Sequence, residues 1–213
     1  MVEELTYEEK ARGARLERRE WDRIWIEDTT EATEPRVLYI GDSISHGTYL
    51  NATKAAERKI LFNNYATSKA VDNPYFYPQL KMFIEQCERR DAIIFNNGLH
   101  GWHLSEEEYG RGYLEIIKKL SGDYPSIPIY LALSTAVNAE VGGSERVVPR
   151  NDKVTEIAGS LGLEVIDLYS VSVENARLHT SDGVHFTAEG YETLAEAVVG
   201  FIKERILSYD LHG

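Results

Sequence analysis

The chain of 213 residues contains one cysteine, two methionines and six prolines. A lone cysteine forms no internal disulfide, so the fold must be held by its core rather than by covalent staples. Cys87 falls within a helical apolar pattern and reads as a small, partly buried side chain, because a reactive thiol needs a base or cation beside it. Positive charge is scarce: 23 Lys and Arg against 35 Asp and Glu give a formal net charge of −12. That balance argues against nucleic acid and membrane surfaces as partners, since both are bound through basic patches, and it disfavours strongly acidic polymers as substrates. Long apolar runs are missing too. None approaches the ~20 residues of a membrane-spanning helix, and the N-terminal stretch Met1–Arg23 is charged throughout, unlike a secretion signal. The expectation is a cytoplasmic protein, or a secreted one from which a leader has been removed.

What is present suits one globular domain with a sizeable core, with 43% apolar and 27% charged residues. No internal repeat or low-complexity segment divides it. Residues 1–30 read as an N-terminal helical extension, with a charged helix from about Thr6 to Trp25 supported by Glu8 and Arg12 at i,i+4 spacing. Trp21, Ile24 and Trp25 form its apolar stripe, and Thr29–Pro35 is a linker. Residues 31–213 form the domain itself. There an alternation begins. Val37–Ile40 is a short apolar run ending at Gly41, typical of a strand buried on both faces. Ile60–Phe62, Ala92–Phe95, Ile127–Leu133 and Glu164–Leu168 continue the series of strands. Helices are predicted over Tyr75–Arg90, Ser105–Leu120, Asn151–Leu161 and Thr187–Leu207, the second with a capping box from Ser105 and Glu108. Strands alternating with helices give a doubly wound α/β domain with a five-stranded parallel sheet.

In such sheets ligands bind outside the carboxyl ends of the strands. Gly41-Asp42-Ser43, Asn96–His100 and the loop Asp182–His185 all fall on that rim. A serine hydroxyl is a weak nucleophile that needs an adjacent base, and an imidazole titrates near the working pH. Asp182 stands three residues before His185, so one turn of loop brings its carboxylate to Nδ1 and leaves Nε2 facing Ser43. Taken alone, Asp-Gly-Val-His is a weak signal, because Asp-Gly is also a common turn.

Ile40-Gly41-Asp42-Ser43-Ile44, followed by Asp182-Gly183-Val184-His185-Phe186-Thr187-Ala188-Glu189-Gly190-Tyr191, resembles the GDSL/SGNH hydrolase superfamily from about Arg36 onward. The resemblance implies a flavodoxin-like three-layer α/β/α sandwich and a serine esterase, with Ser43 as nucleophile, His185 as base and Asp182 as its orienting carboxylate. The middle blocks depart from the family pattern. Asn64-Tyr65-Ala66-Thr67-Ser68-Lys69 places Lys69 where a glycine's N–H helps form the oxyanion hole, beside the Ser43 N–H. Asn97-Gly98-Leu99-His100-Gly101 places His100 where an asparagine donates to the oxyanion; an imidazole N–H can do the same. Asn97 after a local shift, or neither residue, is the alternative.

Asp42 can hold the serine loop or touch substrate. His46, Tyr49, Trp102 and His103 can line the pocket or simply pack in loops, and a tryptophan there suits a sugar ring. Arg146 and Arg150, at the end of the Gly-rich stretch Gly142–Pro149, can reach substrate oxygens. The Asn-Gly-Leu-His branch looks closer to carbohydrate acetylesterases, which implies a small-molecule or oligosaccharide ester as substrate. Lipid or thioester hydrolysis stays open, as does a non-catalytic ligand-binding relative with a decayed oxyanion hole. His100, His103, Asp182 and His185 are metal-ligand types, but the Asp–His pair has a better use. No metal and no cofactor are expected.

Overall fold

A computed structural model describes residues 19–30 and 33–207. Its elements run β1 (Asp22–Trp25), β2 (Arg36–Gly41), α1 (Ser43–Ala55), β3 (Leu61–Thr67), α2 (Phe76–Gln86), β4 (Ala92–Phe95), α3 (Glu106–Asp123), β5 (Ile129–Ala132), α4 (Val147–Leu161), β6 (Glu164–Ile166), α5 (Leu168–Glu174) and α6 (Ala188–Leu207). The sheet has six strands in the order β1-β3-β2-β4-β5-β6. Five are parallel, and β1 runs antiparallel along the outer edge of β3.

The period of two along β2 builds a core on each face of the sheet. Val37 and Tyr39 meet Ile44, Tyr49 and Ala52 of α1 and Leu194, Val198 and Ile202 of α6. Leu38 and Ile40 face the other way, toward Leu80 and Phe83 of α2, Tyr113 and Ile117 of α3 and Val154 of α4. All six residues of β2 are buried, which explains its uninterrupted apolar run. Each fully buried Leu, Ile or Phe contributes roughly 1.5–3 kcal/mol to this sandwich. Cys87 is buried against it, and burial pushes its thiol up.

Several expectations need correction. Asp22–Trp25 is a strand: the backbone of Asp22 pairs opposite Thr67 and that of Trp25 opposite Asn64. The open edge of β3 overrides the local helical pattern, and neighbouring Ile24 and Trp25 then point to opposite sheet faces. Residues 19–21 are not helical either, and residues 6–18 of that expected helix lie outside the described residues. The edge strand also brings the sheet to six strands, where five were expected, and ties the end of the supposed extension into the domain.

The helix Ser43–Ala55 has no amphipathic signature in the sequence, because Ser45, Thr48 and Thr53 occupy buried positions that such a pattern reserves for apolar residues. Ser45 and Thr48 are satisfied by donating to the Asp42 and Ile44 carbonyls at 2.8 and 2.7 Å. Gly47 lets α1 close on α6: a Cβ there would lie 2.2 Å from the Tyr191 ring. The strand expected to reach Leu168 stops at Ile166, because Asp167 accepts from the Ser170 N–H (2.9 Å) and caps α5. Helix α4 begins at Val147 rather than Asn151, with Pro149 in its first turn, where a missing N–H costs nothing.

Candidate active site

At the carboxyl end of β2 the chain turns through Asp42 into α1. The Asp42 carboxylate accepts from the Ile44 N–H at 2.9 Å, and its carbonyl accepts from the His46 N–H at 3.0 Å. Ser43 is thereby the first residue of the helix. Its N–H belongs to the first turn, whose donors have no intrahelical acceptor. Asp42 itself is 1% exposed, so it is a helix cap and the expected substrate contact is withdrawn.

The loop before α6 brings the other two residues. His185 Nε2 lies 2.8 Å from Ser43 Oγ, and Nδ1 lies 2.7 Å from Asp182 Oδ2. The second carboxylate oxygen accepts from Thr180 Oγ1 (2.8 Å) and from the N–H groups of Val184 and His185 (both 2.9 Å). Those donors, led by the Val184 N–H and the His185 ring, hold the Asp182 carboxyl well below the usual carboxylate range. An ionised carboxylate only accepts, so Nδ1 carries the imidazole proton and Nε2 presents its lone pair to the serine hydroxyl.

Gly183 makes the turn possible with φ +73°, and its carbonyl accepts from the Asn138 N–H at 2.8 Å. His179 bridges the same loop to Ala136, with Nε2 3.0 Å from the Ala136 carbonyl. The side chains of Asp182 and His185 are 52% and 41% exposed, so the pair is open to solvent and to a substrate.

The opposite half of the rim differs from expectation. The Lys69 N–H donates to Thr67 Oγ1 at 3.0 Å in a buried position, so it is not the open oxyanion donor that was expected. Its side chain, itself buried, reaches Asp22 on the edge strand, with Nζ 2.5 Å from Oδ2. Asn97 is fully buried and donates to the Lys69 carbonyl at 2.8 Å, a tie between two loops rather than a substrate contact. Arg150 is also fully buried. Its guanidinium donates to the carbonyls of Gly98 (3.0 Å), His100 (2.6 Å) and Gly101 (2.7 Å), so its expected reach to substrate is withdrawn as well.

Trp102 is half-buried and lies over Arg150, 4.3 Å from ring centroid to guanidinium carbon, so packing is its observed role. Arg146 joins Glu106 (2.6 Å) and donates to the carbonyls of Trp102 and Leu104. His103 Nε2 lies 2.7 Å from Asp72 Oδ2. Tyr49 is buried between His46 and Trp25, and burial pushes the His46 imidazole down. The His100 ring meets the Trp21 ring edge to face at 6.2 Å. Among the described residues, no group of three or more His, Cys, Asp or Glu is placed to hold a metal ion.

Sequence reasoning missed Thr180, Asn138 and His179, and gave Trp21 only a place in an apolar stripe. Thr180, two residues before Asp182, was a readable hint of a local side-chain turn. Asn138 and His179 act across the fold and left no local signal.

No protein-family model matches the sequence, and no curated protein matches it. Solved structures do. A lipase/acylhydrolase from Enterococcus faecalis superposes with a TM-score of 0.64 at 18% identity, over 81% of this chain and 97% of that one. A member of the lipolytic protein G-D-S-L family from Veillonella parvula gives 0.66 at 16% identity, over 79% and 98%. The acetyl xylan esterase AlAXEase gives 0.63 at 15% identity, over 78% and 99%. The chain therefore has the α/β/α fold of the GDSL/SGNH hydrolases.

Proposed function

We propose that this protein is a serine esterase that removes small acyl groups, acetyl foremost, from saccharide hydroxyls through an acyl-enzyme on Ser43. The observation that carries the reading is the chain Ser43 Oγ–His185 Nε2–His185 Nδ1–Asp182 at 2.8 and 2.7 Å on the ligand-binding rim of the sheet. Ser43 Oγ attacks the ester carbonyl carbon while His185 takes the hydroxyl proton, and Asp182 stabilises the imidazolium that forms. The negative oxygen of the tetrahedral intermediate is held by the Ser43 N–H, at the positive end of α1, and by the His100 ring. His185 then gives its proton to the departing alcohol oxygen. Water, activated by the same base, adds to the acyl-enzyme and releases the acid.

The preference for small acyl groups rests on the Asn97–His100 block and on the likeness to an acetyl xylan esterase. Hydrolysis of nitrophenyl acetate, butyrate and octanoate by wild type, Ser43→Ala and His100→Ala tests the proposal. Acetate is expected to be the best of the three. Turnover should vanish in Ser43→Ala and fall by about 100- to 1000-fold in His100→Ala. Octanoate as the preferred ester would move the substrate class to lipids. One observation favours a second reading, a ligand-binding protein without turnover: the Lys69 N–H is already spent on Thr67. That reading requires wild type and Ser43→Ala to be equally inert.

A further inference from the structure

Strand β1 carries Trp21 to the rim where Ser43 stands. Asp22 pairs opposite Thr67, the last residue of β3, so Trp21 lies opposite Ser68, just beyond the carboxyl end of that strand. Two hydrogen bonds fix it there: the Trp21 N–H donates to Ser68 Oγ at 2.8 Å, and the Ser68 N–H donates to the Trp21 carbonyl at 3.1 Å. The Asp22–Lys69 ion pair pins the next residue along. Because β3 lies between β1 and β2, Trp21 sits two strand spacings, about 10 Å, from the serine turn. Its ring meets His100 edge to face, with the Arg23 guanidinium 5.8 Å from its centroid.

The two sides of Ser43 are unlike. The His185 loop is moored to Asn138 and Ala136, beyond β5, and the departing alcohol must lie on that side to receive the proton from Nε2. The acyl part of an ester then extends the other way, over the ends of β3 and β1. There the loop after β4 crosses toward them, with Asn97 bonded to the Lys69 carbonyl and His100 against Trp21.

We infer that Trp21, backed by its contact with His100, is the wall that closes the acyl side of the site and limits it to short acyl groups. The inference rests on the esterase reading above and deepens it. A rigid wall of this kind discriminates by chain length, and each extra methylene it refuses is worth roughly tenfold or more in kcat/KM.

The test compares kcat/KM for nitrophenyl acetate, butyrate and octanoate in wild type, Trp21→Ala and Trp21→Phe. Trp21→Ala should raise the butyrate-to-acetate ratio by at least about tenfold, and Trp21→Phe should keep the acetate preference. The ratio is the readout, because a residue that merely supported the fold would lower all three esters together. An unchanged ratio in Trp21→Ala, with turnover that still depends on Ser43, overturns the wall and leaves the esterase standing. No Ser43-dependent turnover in wild type overturns both. Should Trp21→Ala not fold, Trp21→Leu takes its place: a raised butyrate-to-acetate ratio supports the wall, and an unchanged one overturns it.

Discussion

The Asp182 carboxylate that orients His185 is held by its own loop, which Asn138 and Ala136 only moor, whereas the loops after β3 and β4 are held from far along the chain. Thr180, Val184 and His185 satisfy the Asp182 carboxylate from within five residues. His100 and its neighbours depend instead on Arg150, about fifty positions later, and Lys69 depends on Asp22, nearly fifty positions earlier. The first arrangement carries its geometry as a short motif. The second carries it in packing, so its chemistry can drift while the fold stays. That is where this chain differs from the sequence blocks it otherwise resembles, at Lys69 and His100.

Breaking the self-held half should cost the most. Asp182→Asn removes the charge that fixes the His185 tautomer and is expected to lower kcat by about 1000- to 10,000-fold with KM little changed. The same substitution has a pH signature. Asp182 is held below its unfolded-state value, so its stabilisation is present above about pH 4 and fades as the pH falls further and the group protonates. The stability gap between wild type and Asp182→Asn, read from urea melts, should therefore be larger at neutral pH than at about pH 3.

The far-held half should respond in stability first. Arg150→Met leaves three loop carbonyls without their donor in a buried place and is expected to cost about 3 kcal/mol in a urea melt. Acetate turnover should fall with it as His100 loses its support. The smallest effect is expected at Thr180→Val, which removes one of the bonds to the Asp182 carboxylate. About 1 kcal/mol, or fivefold in kcat, is the expected loss, measured on nitrophenyl acetate. Equal losses at Arg150 and Thr180 would erase the contrast between the halves.

The same contrast decides what could be read in advance. The buried strands β2 and β4 and the helices α3 and α6 were legible, since each has a local period or cap that matches its place in the fold. So was the juxtaposition of Ser43 with Asp182–His185, because two short motifs fall on one rim. Strand β1 was not: Trp21, Ile24 and Trp25 have helical spacing, and only the free edge of β3 makes them a strand. Helix α1 was not, because its buried hydroxyls find partners in its own carbonyls. Arg150, Asn97 and Asp42 read in sequence as substrate contacts, whereas in the structure each bonds the protein's own backbone. A polar side chain beside a rim looks alike in sequence whether it faces a ligand or a loop carbonyl.

The most direct test of the central claim is the mass of the intact protein, and of its Ser43 peptide, after exposure to an alkyl fluorophosphonate. The expected result is one phosphonyl group on Ser43 in wild type, far slower labelling in Asp182→Asn, and none in Ser43→Ala. Wild-type protein that stays unlabelled, or labels equally in Ser43→Ala, would contradict an activated serine at this site.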